Sequence, residues 1–134
     1  MADLTRYFFN PVQTPRSAWS VIGWWESRRT LYNATLAVAG SFSIAAVKLM
    51  ALFVPDPQHS PFPWGIVVVY AVLANVMYTF GPAVDLFIRR RWGNQFAAVG
   101  PVLFRYGFVF SVGLTLLPIP LALLTILLRL LHLA

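Results

Sequence analysis

The chain contains no cysteine. That excludes disulfides, thiolate nucleophiles, iron–sulfur clusters and Cys-ligated zinc. Charge is nearly as scarce. Only 10% of the 134 residues are Asp, Glu, Lys or Arg, against about 25% in an ordinary soluble domain. Of the 4 acidic residues, Asp3, Glu26 and Asp85 could gather on one side of a membrane, but the arginines there compete for them, so salt bridges are expected in place of a carboxylate pair for acid–base chemistry. No P-loop, G-x-S-x-G or H-E-x-x-H motif occurs in the sequence. The 2 histidines, His59 and His132, fall outside the apolar stretches, away from mid-span positions where a haem or pigment ligand would sit. Sequence reasoning therefore expects a protein that is not an enzyme, with no catalytic residues, no metal site and no cofactor of its own.

What the chain has is apolar length. Hydrophobic residues make up 59% of it. Stretches at 34–54, 64–88 and 107–128 each reach the roughly 20 residues that a helix needs to cross about 30 Å of hydrocarbon. The fold class expected is an all-α membrane protein, one membrane-embedded unit over 1–134. Its three transmembrane helices are expected at 31–54, 64–88 and 107–128. Before them, residues 1–30 read as a cytoplasmic tail and an interfacial amphipathic helix. Thr14-Pro15 has the form of a helix start, and Trp19, Trp24 and Trp25 are aromatics of the kind that settle at the membrane–water boundary. The tail itself, with the cluster Tyr7, Phe8 and Phe9, has no apolar core long enough for a secretory signal. It is expected to dock on a partner or at the headgroups.

The connectors differ in charge. The first, 55–63, holds Pro55, Pro57, Pro61 and Pro63 and no Lys or Arg; the prolines forbid helix there. The inner connector, 89–106, opens with Arg89, Arg90 and Arg91. The N-terminal region carries Arg6, Arg16, Arg28 and Arg29, whereas the outer tail, 129–134, carries Arg129 alone. Basic residues mark the cytoplasmic side, so the N-terminus is expected inside and the C-terminus outside a bacterial inner membrane. The net charge of +6 is thereby assigned to topology and to anionic lipid headgroups, not to nucleic acid.

Within the spans, polar and small residues stand out. Ala37, Ser41 and Ala45 recur every four positions, a stripe that lets a second helix approach closely. Gly107, Ser111 and Thr115 form another. Ala71, Asn75 and Thr79 form a small-polar row, with Asn75 expected to hydrogen-bond between helices. Lys48 lies six residues from the outer end of its span and can snorkel outward. Gly81-Pro82 is expected to kink or break the second helix, and Asp85 to lie near the far interface. Arg28, Arg29 or Arg105 are the expected salt-bridge partners of the carboxylates. Pro118 marks a bend in the third span.

Trp24-Trp25-Glu26-x-Arg28-Arg29-x-x-Tyr32-Asn33 entering a span, with Asn10-Pro11 upstream, resembles small uncharacterised bacterial membrane proteins. The size and layout are similar to accessory subunits of photosynthetic or respiratory membrane complexes. The resemblance implies a non-catalytic subunit of a larger complex, an electron-transfer assembly such as a reaction centre with light-harvesting rings. Its partners would be other membrane subunits and anionic lipids, with bound lipids and peripheral pigments. Contact candidates are Trp19, Trp24, Trp25, Arg28, Arg29, Tyr32, Asn33, Ala37, Ser41, Ala45, Lys48, Asn75, Arg89, Arg90 and Arg91. Two rivals are open on the residues. One is a homo-oligomeric transporter or channel lined by Lys48 and Asn75. The other is a lipid-modifying enzyme using Glu26 and Asp85.

Overall fold

A computed structural model describes residues 17–53, 63–93 and 99–131. These residues form four helices: α1 (Ala18–Phe53), α2 (Trp64–Trp92), α3 (Val99–Leu116) and α4 (Pro118–Leu130). Three helical segments are long and apolar enough to cross a membrane: α1, α2, and α3 continued by α4. This is the architecture of an all-helical membrane protein. The expectations for the tail before Ser17, for the helix start at Thr14-Pro15, for the proline-rich link and for His59 and His132 fall on residues outside those described.

The first helix departs from the sequence reading. Among the described residues there is no separate interfacial helix. Residues 18–30 are the opening turns of one continuous helix of 36 residues, roughly 54 Å long at 1.5 Å per residue. The chain from Trp24 to Ala34 contains neither Pro nor Gly, so nothing in it interrupts the backbone ladder. The second helix departs too. It runs unbroken through Pro82 to Trp92, so Gly81-Pro82 does not end it. Its last turn holds Arg89, Arg90 and Arg91, where cations complement the helix dipole. Gly93, at φ 67°, stops it and donates its N–H to the Arg89 carbonyl; only glycine takes that φ without strain. With α3 starting at Val99, much of the expected 89–106 connector is helical. The bend expected at Pro118 falls at the α3–α4 junction, where Leu117 separates the two helices.

α1 packs on α2, α3 and α4, and α3 packs on α2 as well. The contacts set the directions. The N-terminal part of α1 (Trp24, Trp25) meets the C-terminal part of α2 (Tyr78, Gly81, Asp85) and the start of α3 (Gly100, Phe104). At the opposite end Gly40 and Ser43 of α1 share a cleft with Ile66 and Tyr70 of α2 and with Leu114 and Thr115 of α3. The chain therefore runs up, down and up. One end gathers Arg28, Arg29, Arg89, Arg90, Arg91 and Arg105, while Lys48 and Arg129 lie towards the other.

Candidate functional site

The densest polar constellation is at the arginine-rich end, inside the bundle. Asp85 is 0% exposed. Its Oδ1 accepts from Arg89 Nε at 2.7 Å, one turn further along α2. Its Oδ2 accepts from the Trp25 indole Nε1 at 3.1 Å, across from α1. Two glycines make room. A Cβ on Gly100 would lie 2.5 Å from Asp85 Oδ2, and one on Gly81 would lie 2.5 Å from the Trp25 ring. The α3 backbone thus closes over the carboxylate, and the α2 backbone lies against the indole.

Aromatic rings surround this core. Trp25 stands edge to face with Tyr78 at 5.6 Å and with Phe104 at 5.9 Å. Trp24 meets Phe104 at 6.0 Å, and the Arg28 guanidinium lies over the Trp24 ring at 4.0 Å. The Tyr78 hydroxyl donates to the Trp25 carbonyl at 2.5 Å. Such edge-to-face pairs add about 0.5–1.5 kcal/mol each beyond area burial. In lipid, apolar burial does not by itself draw helices together, so packing and interhelical hydrogen bonds decide which faces meet.

Further bonds continue along the bundle. Tyr32 on α1 donates to Ser111 Oγ on α3 at 2.8 Å. Asn33 Nδ2 donates to Asn75 Oδ1 at 3.1 Å, joining α1 to α2. Tyr70 on α2 donates to the Ser111 carbonyl at 3.0 Å and lies 2.7 Å from Thr115 Oγ1. The stripe Gly107, Ser111, Thr115 is thus partly used within the chain. Arg29 pairs with Glu26 at 2.8 Å and reaches Thr79 Oγ1 at 3.3 Å.

The carboxylates correct one expectation. Glu26 does pair with Arg29, but Asp85 pairs with Arg89 and not with Arg28, Arg29 or Arg105. The reason is geometric: residues four apart on one helix are neighbours. Trp24 and Trp25, expected at the boundary with the headgroups, are buried in the bundle at 8% and 2% exposure. Trp19, more than a turn earlier, is 81% exposed. Arg28 is buried as well, donating from Nη1 to the Trp24 carbonyl and to Ser27 Oγ. Ala37, Ser41 and Ala45 point away from the other helices and are exposed. So are Arg90, Arg91 and Arg105. Lys48 lies 5.9 Å from the ring of Trp64, the first residue of α2, which sets it near the end of the bundle opposite the arginines.

Sequence reasoning missed the roles of Tyr78, Gly81, Gly100 and Phe104. The Asp85–Arg89 spacing is the signal that points to this end. Chemically, the cluster is a clamp: both carboxylate oxygens are engaged, and the groups around them are rings and a guanidinium. Among the described residues no three His, Asp or Glu gather as a metal site would require. No protein-family model, curated protein or solved structure matches the chain.

Proposed function

We propose that the protein is a non-catalytic accessory subunit of a larger membrane complex. The observation that supports this best is how the polar groups are spent. Asp85, Trp25, Tyr32, Tyr70 and Asn75 are satisfied by hydrogen bonds across α1, α2 and α3, while the outward faces are apolar. On α1 that face includes the stripe Ala37, Ser41 and Ala45, flanked by exposed Val38 and Phe42. Small residues let a foreign helix approach to backbone distance, and the flanking side chains then pack around it. At the arginine-rich end, exposed Arg90, Arg91 and Arg105 suit phosphate headgroups and acidic segments of partner subunits.

In this reading the arginine-rich end faces the cytoplasm of a bacterium and the proline-rich link 55–63 faces outward, as the charge asymmetry of the connectors argues. The opening turns of α1, with exposed Trp19, then reach the cytoplasmic interface. The partner complex we propose is an electron-transfer assembly, on likeness of size and layout, with lipids and peripheral pigments as neighbours. The resemblance of the Trp24–Asn33 segment to small bacterial membrane proteins belongs to the same proposal. The channel reading draws less support, because Asn75 is tied to Asn33 and Lys48 sits beside Trp64 at one end. A lipid-modifying enzyme would need Glu26 and Asp85 together, and each is held by its own arginine.

Extraction in a gentle detergent, followed by mass spectrometry of what co-migrates, tests the proposal. The expected result is migration with larger membrane subunits. Migration of the chain alone, with ion or substrate flux on reconstitution, would reject it.

A further inference from the structure

On the outer side of the α1–α2 seam lies an open groove of about 620 Å³, within the range of ligand sites. Exposed Val68, Val72 and Val76 of α2 line its length, and Asn75, Thr79 and Arg29 line it as well. From Val68 to Thr79 it runs roughly 16 Å along the helix, about half the thickness of a hydrocarbon core. Arg29 closes the end nearer the arginine-rich pole. Its guanidinium lies over the Tyr78 ring at 5.0 Å. Nη2 donates to Thr79 Oγ1 at 3.3 Å and to Glu26 Oε1 at 2.8 Å. Nη1 has no hydrogen-bond partner among the described residues and is not enclosed, nor has Glu26 Oε2 a partner there. The two side chains are 28% and 49% exposed. The polar groups beside them are spent within the bundle: Asn75 on Asn33 and the Ala71 carbonyl, Thr79 on the Asn75 carbonyl.

We propose that this seam binds a zwitterionic phospholipid whose headgroup joins a phosphodiester to a primary ammonium, as in phosphatidylethanolamine. The phosphate accepts from Arg29 Nη1, the ammonium donates to Glu26 Oε2, and an acyl chain lies along Val76, Val72 and Val68. The order of the groups selects this class. From mid-membrane towards the arginine-rich end come an apolar track, a cation and then, one turn on, an anion; a phospholipid of this kind presents acyl chain, phosphate and ammonium in the same order. The Arg29–Glu26 pair carries no net charge, so an anionic headgroup would satisfy Arg29 and meet repulsion at Glu26. A guanidinium bordering lipid is costly without an acceptor, and bonds between ionised partners are the strong ones. The proposal does not depend on the accessory-subunit reading, which rests on Ala37, Ser41 and Ala45.

Native mass spectrometry of the full chain in detergent, titrated with phosphatidylethanolamine, phosphatidylcholine or phosphatidylglycerol of identical acyl chains, tests it. Phosphatidylethanolamine should be retained about fivefold more tightly than either of the others, the worth of one hydrogen bond: the quaternary ammonium of the second has no N–H, and the third has no cation. Free phosphoethanolamine should not compete, because it lacks the chain that the valines hold. Glu26→Gln should erase the preference over phosphatidylglycerol, and Arg29→Gln should weaken all three lipids about tenfold. Val72→Trp, which fills the groove without touching either charge, should weaken all three while circular dichroism stays unchanged. Equal retention of the three lipids, or a preference that Glu26→Gln leaves intact, would overturn the proposal. So would retention led by phosphatidylglycerol, the mark of a plain anion site, or no retention at all, which would leave the seam to a partner helix.

Discussion

Asp85 is the residue on which the arginine-rich end turns. A carboxylate with no exposure is tolerated because Arg89 and Trp25 hold both its oxygens. Removing one member of a buried pair strands the other and costs about 3–5 kcal/mol. Asp85→Ala is therefore expected to lower stability by that amount. Asp85→Asn keeps an acceptor for the indole and should lose less, about 1–3 kcal/mol. Unfolding in mixed micelles, followed by tryptophan fluorescence, measures both; equal losses for Ala and Asn would contradict the clamp, because the acceptor that Asn retains would then count for nothing. The ion pair is open to sequence reasoning through its four-residue spacing on one helix. The indole is not, because Trp25 and Asp85 lie 60 positions apart and only the packed bundle brings them together.

Among the elements, α1 and α2 are set by close approach at Gly81. A methyl there would overlap the Trp25 ring, whereas Gly113 faces open space. Gly81→Ala should destabilise by about 1–3 kcal/mol through overpacking. Gly113→Ala should be neutral or mildly stabilising, because alanine favours helix over glycine. Thermal melts and near-ultraviolet circular dichroism of the two variants separate them; a neutral Gly81→Ala would mean that α1 and α2 do not approach so closely. The spans are legible in the sequence because length and apolarity are properties of a single segment. The misread elements are those whose fate depends on neighbours. Gly81-Pro82 reads locally as a kink or a break; α2 is not broken there, and Pro82 itself is buried in the bundle. Trp24 and Trp25 read as boundary aromatics, yet α1 is continuous and turns them onto α2 and α3.

For the whole molecule, the connectivity puts six arginines of the described residues at one end of an up-down-up bundle. Orientation then follows from one observation of sidedness. Because the chain has no cysteine, single cysteines report cleanly. A membrane-impermeant maleimide added to intact spheroplasts is expected to label a cysteine at Ser60 and to spare one at Asn94; the reverse pattern would invert the topology. Function at this scale rests on whether another protein covers the exposed stripe of α1. Ser41→Cys, coupled to a benzophenone maleimide and irradiated in the native membrane, tests that most directly. A cross-link to a different membrane protein is expected. Cross-linking solely to lipid, or solely to a second copy of the same chain, would contradict it.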